Sequence, residues 1–176
     1  LTTTGATADL TLRGPFPTPA PVAVTFDPAQ PQRIALADGT QILIPAGALP
    51  AAGPVTLHIV PIATLPHQRH ANVYRYGYAF NVTDAHGEPI TDHFNQDVAI
   101  TFTYTPAELW ALGIPETQLK PAYFSTTTNT WTAPEGYVID TAANRVVMQI
   151  DHFTDFALTY NAAAHLSAVF LPTVMR

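Results

Sequence analysis

The chain contains no cysteine and few charged side chains. Without cysteine, it can form neither disulfides nor thiolate metal sites. Charged residues make up 11 % of the sequence, and Lys120 is the single lysine; ordinary soluble domains carry roughly 25 %. The net charge of −6 and the scattered basic residues argue against a nucleic-acid partner, because phosphate binding needs clustered Lys and Arg.

Long apolar runs and catalytic motifs are also missing. No stretch approaches the roughly 20 apolar residues that a membrane-spanning helix requires, so we expect no membrane span. The sequence offers no Ser-His-Asp grouping, no phosphate-cradling glycine loop and no paired-carboxylate motif. We therefore predict a protein that is not an enzyme and that uses no cofactor and no metal.

The residue types that are plentiful favour β-structure. Hydrophobic residues make up 47 % of the chain, and threonine supplies many of the polar groups. Branched and aromatic side chains fit a pleated, half-buried surface, and low charge weakens the repulsion that keeps proteins monomeric. The chain begins at Leu1 rather than Met, from which we expect that a signal peptide was removed. These features predict a secreted protein of the bacterial cell surface.

Alternating apolar and polar residues predict about ten short strands between residues 22 and 160. The longest alternating run extends from Tyr74 to Val82, and Asp38-Gly39 between two apolar triplets is a strong hairpin signal. Residues 106–112 are the best candidate for a helix, because Thr105 can cap its start and Gly113 can end it. The pattern predicts an all-β fold: an antiparallel Greek-key β-sandwich with one short helix.

An N-terminal strand arm, residues 1–13, precedes this body. Its alternation places four apolar residues on one face: Ala6, Ala8, Leu10 and Leu12. Residues 14–21 have proline at every second position and predict an extended spacer of roughly 25 Å that can join neither helix nor sheet interior.

Residues 161–176 form an apolar C-terminal tail that includes Val169, Phe170 and Leu171. Such a tail would be an aggregation hazard if it stayed free in water. Both tails can pair with their own sandwich, or the N-terminal strand can add to the sheet of a neighbouring subunit, and a head-to-tail contact that does not close makes a fibre. We predict a structural or adhesive protein whose main partner is a second copy of itself, joined by strand exchange into a filament or surface layer.

Several segments resemble ZU5-type β-sandwich domains, which occur in ankyrin- and netrin-receptor-like proteins and in bacterial surface proteins. They are residues 44–50 (IPAGALP) with the strand 54–57 (PVTL), residues 98–102 (VAITF) with Trp131, and the closing segment 151–158 (DHFTDFAL). The resemblance covers about residues 33–160 and implies a β-sandwich that serves as a connector between partners.

Some members of this family cut their own backbone before the hydroxyl residue of the closing His-Phe-Ser motif. The resemblance implies that the corresponding bond here is Phe153–Thr154, with Thr154 as nucleophile and His152 as base. The hydroxyl would attack the preceding carbonyl, and water would cleave the resulting ester. The alternative is that these residues only belong to a closing strand.

Three further patterns carry competing interpretations. Tyr74, Tyr76 and Tyr78 share one face and could stack on a cell-surface glycan, but such a stripe is also typical of a sandwich core. His67 with His70, and Asp84 with His86 and Glu88, are short groups of metal-capable side chains in predicted loops. Asn81-Val82-Thr83 matches the N-glycosylation sequon.

Overall fold

The computed structural model describes residues 16–63 and 72–160. Within these ranges the chain forms eleven strands, one α-helix and one 3-10 turn at Glu116–Gln118. In chain order the elements are β1 (Val22–Phe26), β2 (Gln32–Ala35), β3 (Gln41–Ile44), β4 (Val55–Ile62), β5 (Asn72–Thr83), β6 (Val98–Thr103), α1 (Pro106–Leu112), β7 (Leu119–Ser125), β8 (Thr130–Thr132), β9 (Val138–Asp140), β10 (Arg145–Ile150) and β11 (Asp155–Tyr160).

The strands form two packed antiparallel sheets. One sheet has six strands in the order β1-β4-β5-β11-β7-β8, and the other has five in the order β2-β3-β6-β10-β9. The last strand, β11, lies between β5 and β7 in the middle of the larger sheet. The chain therefore passes repeatedly from one sheet to the other, and the predicted antiparallel β-sandwich is confirmed.

The core lies between the sheets and follows the predicted alternation. On β5 the side chains of Tyr74, Tyr76, Tyr78, Phe80 and Val82 are all buried. They face apolar residues of the smaller sheet, and both sets belong to one continuous cluster. Each fully buried side chain of this size contributes about 1.5–3 kcal/mol, so regular alternation along one strand is enough to fix its register and its inward face.

The predicted helix forms at the predicted residues. The Thr105 side chain accepts a hydrogen bond from the backbone N–H of Glu108, and Pro106 occupies the first turn. Gly113 ends α1 in the left-handed conformation with φ 66°, which glycine adopts without steric cost. Leu109 is buried against the sandwich while Trp110 is 87 % exposed, so the helix packs on the core through one face.

The end of the proline-rich segment lies against the body. The ring centroid of Phe16 is 6.3 Å from that of Tyr74, and the guanidinium carbon of Arg75 lies 6.0 Å from the Phe16 ring centroid. Residues 16–21 have no regular secondary structure, as the prolines predict. Within this extended segment, Phe16 packs its aromatic side chain against the body, where removal of its apolar surface from water is favourable.

The predicted assembly residues fall outside the described part of the chain. This holds for the four residues of the arm and the three of the tail: Ala6, Ala8, Leu10, Leu12, Val169, Phe170 and Leu171. His67 and His70 also lie outside it. Among the described residues, no helix is long and apolar enough to cross a bilayer.

Candidate functional site

A cleft of about 670 Å³ opens at one end of the larger sheet. It is lined by the end of β5, the end of β7 with the turn after it, and residues of the two connections that precede β6 and β11. The polar side chains on its wall are Asn81, Thr91, His93, Ser125, Thr126, Thr127, His152, Thr154 and Asp155.

The cleft exists because β11 begins late. Its first residue, Asp155, pairs with Ala79 of β5, and beyond this point no strand of the described residues lies between β5 and β7. The connecting segment partly closes the gap: Phe80 N–H donates to the Thr154 carbonyl at 3.0 Å. On the other side, the Thr154 hydroxyl donates to the Phe124 carbonyl at 3.0 Å. The floor of the cleft is thus fixed by a backbone hydrogen bond on one side and a side-chain hydrogen bond on the other.

Three side chains that can ionise or bind metals meet at the rim. The Nδ1 atom of His93 lies 2.8 Å from Asp151 Oδ2, and the Nδ1 atom of His152 lies 2.8 Å from Asp151 Oδ1. The two imidazole centroids are 5.9 Å apart. One carboxylate is therefore held between two imidazoles, each engaging a different oxygen.

The two segments that carry these side chains are anchored to each other. Phe94 N–H donates to the Asp151 carbonyl at 2.6 Å, and the rings of Phe94 and Phe153 pack edge to face with centroids 4.8 Å apart. Tyr123 of β7 packs edge to face on His152 at 5.3 Å. The cluster thus rests on an aromatic base, and its position does not depend on the polar contacts alone.

The environment shifts the pKa values of two carboxyl groups here in opposite directions. The hydrogen bond from His152 is the main cause that lowers the pKa of Asp151, and the contact with His93 adds to it against the effect of burial. Burial raises the pKa of Asp155 above its ordinary value. Asp151 is therefore the carboxylate that stays ionised, while Asp155, at the start of β11, is the easier of the two to protonate.

The proposed self-cleavage residues, His152 and Thr154, both line this cleft. The Thr154 hydroxyl donates to the carbonyl of Phe124, and the imidazole of His152 contacts the carboxylate of Asp151. Each group thus engages a different partner in this conformation. Positive backbone φ at non-glycine residues is found in the described chain at Asn129 and Asn144, away from the Phe153–Thr154 bond.

The tyrosine stripe lies in the core rather than at the surface. Tyr74, Tyr76 and Tyr78 are 3 %, 8 % and 1 % exposed, and a sugar platform needs exposed ring faces. The hydroxyls of Tyr76 and Tyr78 donate to Asp38 Oδ2 at 3.1 and 2.9 Å. Burial, and then the charge of Asp38, raise the pKa of Tyr78 well above its ordinary value. The core interpretation is the one that the geometry supports.

The Tyr74 hydroxyl belongs to a second, partly buried network. It donates to Glu108 Oε2 at 2.6 Å, and Thr105 Oγ1 donates to the same oxygen at 2.6 Å. Arg75 forms an ion pair with this carboxylate. The network joins the N-terminus of α1 to β5 and therefore has a structural role.

The remaining predicted groups occupy a turn and a strand. Asp84 Oδ1 accepts the backbone N–H groups of His86 and Glu88 at 2.8 and 2.9 Å, which is the hydrogen bonding of a plain turn. Asn81 is exposed on β5 and lines the cleft, so the sequon occupies an accessible position.

Sequence reasoning missed His93. The signal that could have found it is the tripeptide Asp-His-Phe, which occurs at residues 92–94 and again at 151–153. The fold brings these two copies together, histidine near histidine and phenylalanine against phenylalanine.

No model of a known protein family matches this chain, and no curated protein matches it.

Proposed function

We propose that this chain is a secreted, non-catalytic β-sandwich module of the cell surface that assembles with its own kind through its terminal strands. The observation that supports this most is the place of β1. It follows directly on the proline-rich segment and, among residues 16–63 and 72–160, forms an edge of the six-stranded sheet. The arm therefore joins the body next to a sheet edge that can accept a further strand.

The chemistry of that edge favours strand addition. Natural proteins protect edges with lysine, proline or inward charges, but β1 reads Val-Ala-Val-Thr-Phe and has none of these. The single lysine, Lys120, lies on β7, which is an inner strand. Apolar side chains are also exposed on other strands, with Leu43 at 51 % and Val138 at 58 %. Low overall charge adds to this by reducing repulsion between copies.

The resemblance to ZU5-type domains also supports a role as a connector between copies of the chain. Its first motif, residues 44–50, begins at the end of β3, and its second, residues 151–158, includes the first four residues of β11. A β-sandwich of this type offers edges and loops to partners while its core stays closed. A filament or a surface layer is the assembly that such a module would build.

Removal of residues 1–13 tests the proposal. We expect the full chain to sediment as an assembly and to form fibres or layers in negative-stain electron micrographs, and the truncated chain to sediment as a monomer. A sharper variant is Leu10→Asp with Leu12→Asp, which places charge on the face that would enter a neighbour's pocket. Its matched control is Thr7→Asp with Thr11→Asp, on the opposite face of the same strand. Equal assembly by all four proteins would show that the arm is not the connector.

Self-cleavage at Phe153–Thr154 is a second proposal, supported by the fact that His152 and Thr154 line the same cleft. Denaturing electrophoresis of purified protein tests it directly. Cleavage gives two fragments, and Thr154→Ala abolishes them. A single full-length band from the unaltered chain, incubated until its folding is complete, removes this proposal and leaves the first one untouched.

A further inference from the structure

The paired Asp-His-Phe segments create a group of metal-capable side chains that the proposed function does not use. Among residues 16–63 and 72–160, the ligand atoms of His93, Asp151 and His152 all lie within 4.8 Å of one another. We infer that these three side chains bind one divalent transition-metal ion of the zinc class, with a further coordination position open to the cleft.

The donor set selects the class of metal. Two imidazole nitrogens and one carboxylate oxygen suit Zn²⁺, and also Co²⁺, Ni²⁺ and Cu²⁺. Calcium takes six to eight oxygen ligands, and magnesium keeps an octahedral shell of oxygens with several waters. Neither ion matches a site with two nitrogens. Two imidazoles and one carboxylate also suit Fe²⁺, so the divalent first-row ions from iron to zinc are the ones that this group can hold.

The geometry requires only small side-chain movements. Ligands about 2.0–2.1 Å from a tetrahedral Zn²⁺ lie roughly 3.3 Å from each other. Each imidazole now lies 2.8 Å from the carboxylate, so the nitrogen–oxygen distances would lengthen by about half an ångström. The His93 side chain is 79 % exposed, so rotation about its own bonds can bring its nitrogen towards His152 without displacing the core.

The backbone beneath the site is already in place. The Phe94 N–H bond to the Asp151 carbonyl and the packing of Phe94 on Phe153 hold the two segments together without any metal. Tyr123 fixes one face of the His152 ring. The His152 ring and the backbone of both segments therefore lose little conformational freedom on binding, and only the exposed His93 side chain has to be ordered.

The position of the ligands gives the site an open side. His93 and His152 both line the cleft. Zinc sites with three protein ligands keep a fourth position for water or an incoming ligand. In this chain that position would open into the cleft of about 670 Å³, where water or a small anionic ligand can reach it.

Binding of Zn²⁺ to the full chain, measured by isothermal titration calorimetry, tests the inference, together with the visible absorption of bound Co²⁺ as a report on coordination by nitrogen. We expect one ion per chain. Loss of an outer-shell partner alone weakens metal binding by about 10–100-fold. Loss of a direct ligand in His93→Ala or Asp151→Asn should therefore weaken it by at least about tenfold and should abolish the Co²⁺ spectrum. Circular dichroism establishes that each variant is folded.

Two controls separate this site from other histidines. His86 is 86 % exposed and lies beside Asp84 in the same connection as His93, so His86→Ala is a matched variant that should leave the affinity unchanged. The double variant His67→Ala with His70→Ala should also bind normally. The inference is overturned if the wild type shows no saturable binding of Zn²⁺, if His93→Ala binds as tightly as the wild type, or if the double variant is the one that loses the ion. Because assembly is scored by sedimentation in the absence of metal, failure of this inference is distinguishable from failure of the proposed function.

Discussion

Two carboxylates in this sandwich each gather several hydrogen-bond donors, yet they do so in opposite surroundings. Glu108 lies at the start of α1 and accepts bonds from Tyr74, Thr105 and Arg75. Asp151 lies at the rim of the cleft between two imidazoles. The Arg75 and Glu108 side chains are 16 % and 27 % exposed, whereas that of Asp151 is 52 % exposed.

The difference teaches which polar groups hold the fold and which are available for binding. Hydroxyl and guanidinium donors keep their protons at neutral pH, so the contacts of Glu108 do not change with pH in that range and serve to hold α1 on β5. Imidazoles change protonation between about pH 5 and 8 and are common metal ligands. The exposed cluster can thus exchange its partners, while the buried one cannot do so without cost.

Loss of the Glu108 carboxylate should have the largest effect on the fold. Glu108→Ala leaves the guanidinium of Arg75 and the hydroxyl of Tyr74 without their acceptor in a largely buried place. Removing one partner of a buried ion pair costs about 3–5 kcal/mol, and partial exposure reduces this to about 2–4 kcal/mol. Urea unfolding followed by circular dichroism measures the free energy of unfolding.

The matched control is Glu135→Ala, since Glu135 is exposed in the connection between β8 and β9. Exposed substitutions of this kind stay within about 0.5 kcal/mol. An equal loss of stability in both variants would remove the distinction between the buried network and the surface.

The Glu108 network should also make the fold sensitive to acid in a defined range. Burial by itself raises the pKa of Glu108, but the hydrogen bonds from Thr105, Tyr74 and Arg75 outweigh it and lower this pKa from 4.5 to about 2. A lowered pKa stabilises the folded state fully above the unfolded value of 4.5. This contribution is lost as pH falls from there towards 2.

The measurement compares wild type with Glu108→Gln, which keeps the shape of the side chain and removes its titration. Their difference in free energy of unfolding should be constant from pH 6 to 8 and should shrink below the ordinary pKa of 4.5. A difference that stays constant down to the lowest pH at which both proteins fold contradicts a lowered pKa.

A smaller effect is expected at the opposite end of the tyrosine stripe. Tyr78→Phe removes one of the two tyrosine hydroxyls that donate to Asp38 Oδ2. Hydrogen bonds to charged groups contribute about 1.5–3 kcal/mol, and because Tyr76 and Thr40 remain as donors, we expect a loss of about 1–2 kcal/mol. Thermal and urea unfolding measure it. Tyr137→Phe, outside both carboxylate networks, is the control and should lie within about 0.5 kcal/mol.

Alternation and capping chemistry allowed much of the sandwich to be predicted. The run from Tyr74 to Val82 has a period of two, so one face had to be buried. Thr105 and Gly113 are local signals for the two ends of a helix, and their effect does not depend on distant residues. The order of strands in the sheets could not be obtained in this way, because β11 reaches its place between β5 and β7 through contacts that are distant in sequence.

The candidate site likewise depends on contacts between residues that are distant in sequence, which local patterns do not predict. His152 was found because its segment resembles a family motif, but its partnership with His93 runs through Asp151, which contacts His93 across 58 residues. A short repeated tripeptide does not indicate whether its two copies are in contact in the folded chain. Packing of one phenylalanine on the other brings them together, and that packing is decided by the whole fold.

The smallest effect should come from the exposed cluster. His93→Ala removes one contact of Asp151, but the imidazole is 79 % exposed, and exposed pairs of this kind contribute about 0–1 kcal/mol. In the absence of metal we expect the free energy of unfolding to change by less than about 0.5 kcal/mol, because Phe94 and Phe153 keep the two segments together.

Phe94→Ala is the variant to compare with it. It leaves all three polar side chains in place but removes the aromatic base, and it should lower the free energy of unfolding by about 1–3 kcal/mol. A large loss in His93→Ala with none in Phe94→Ala would mean that the polar contacts, and not the aromatic packing, hold this end of the sandwich.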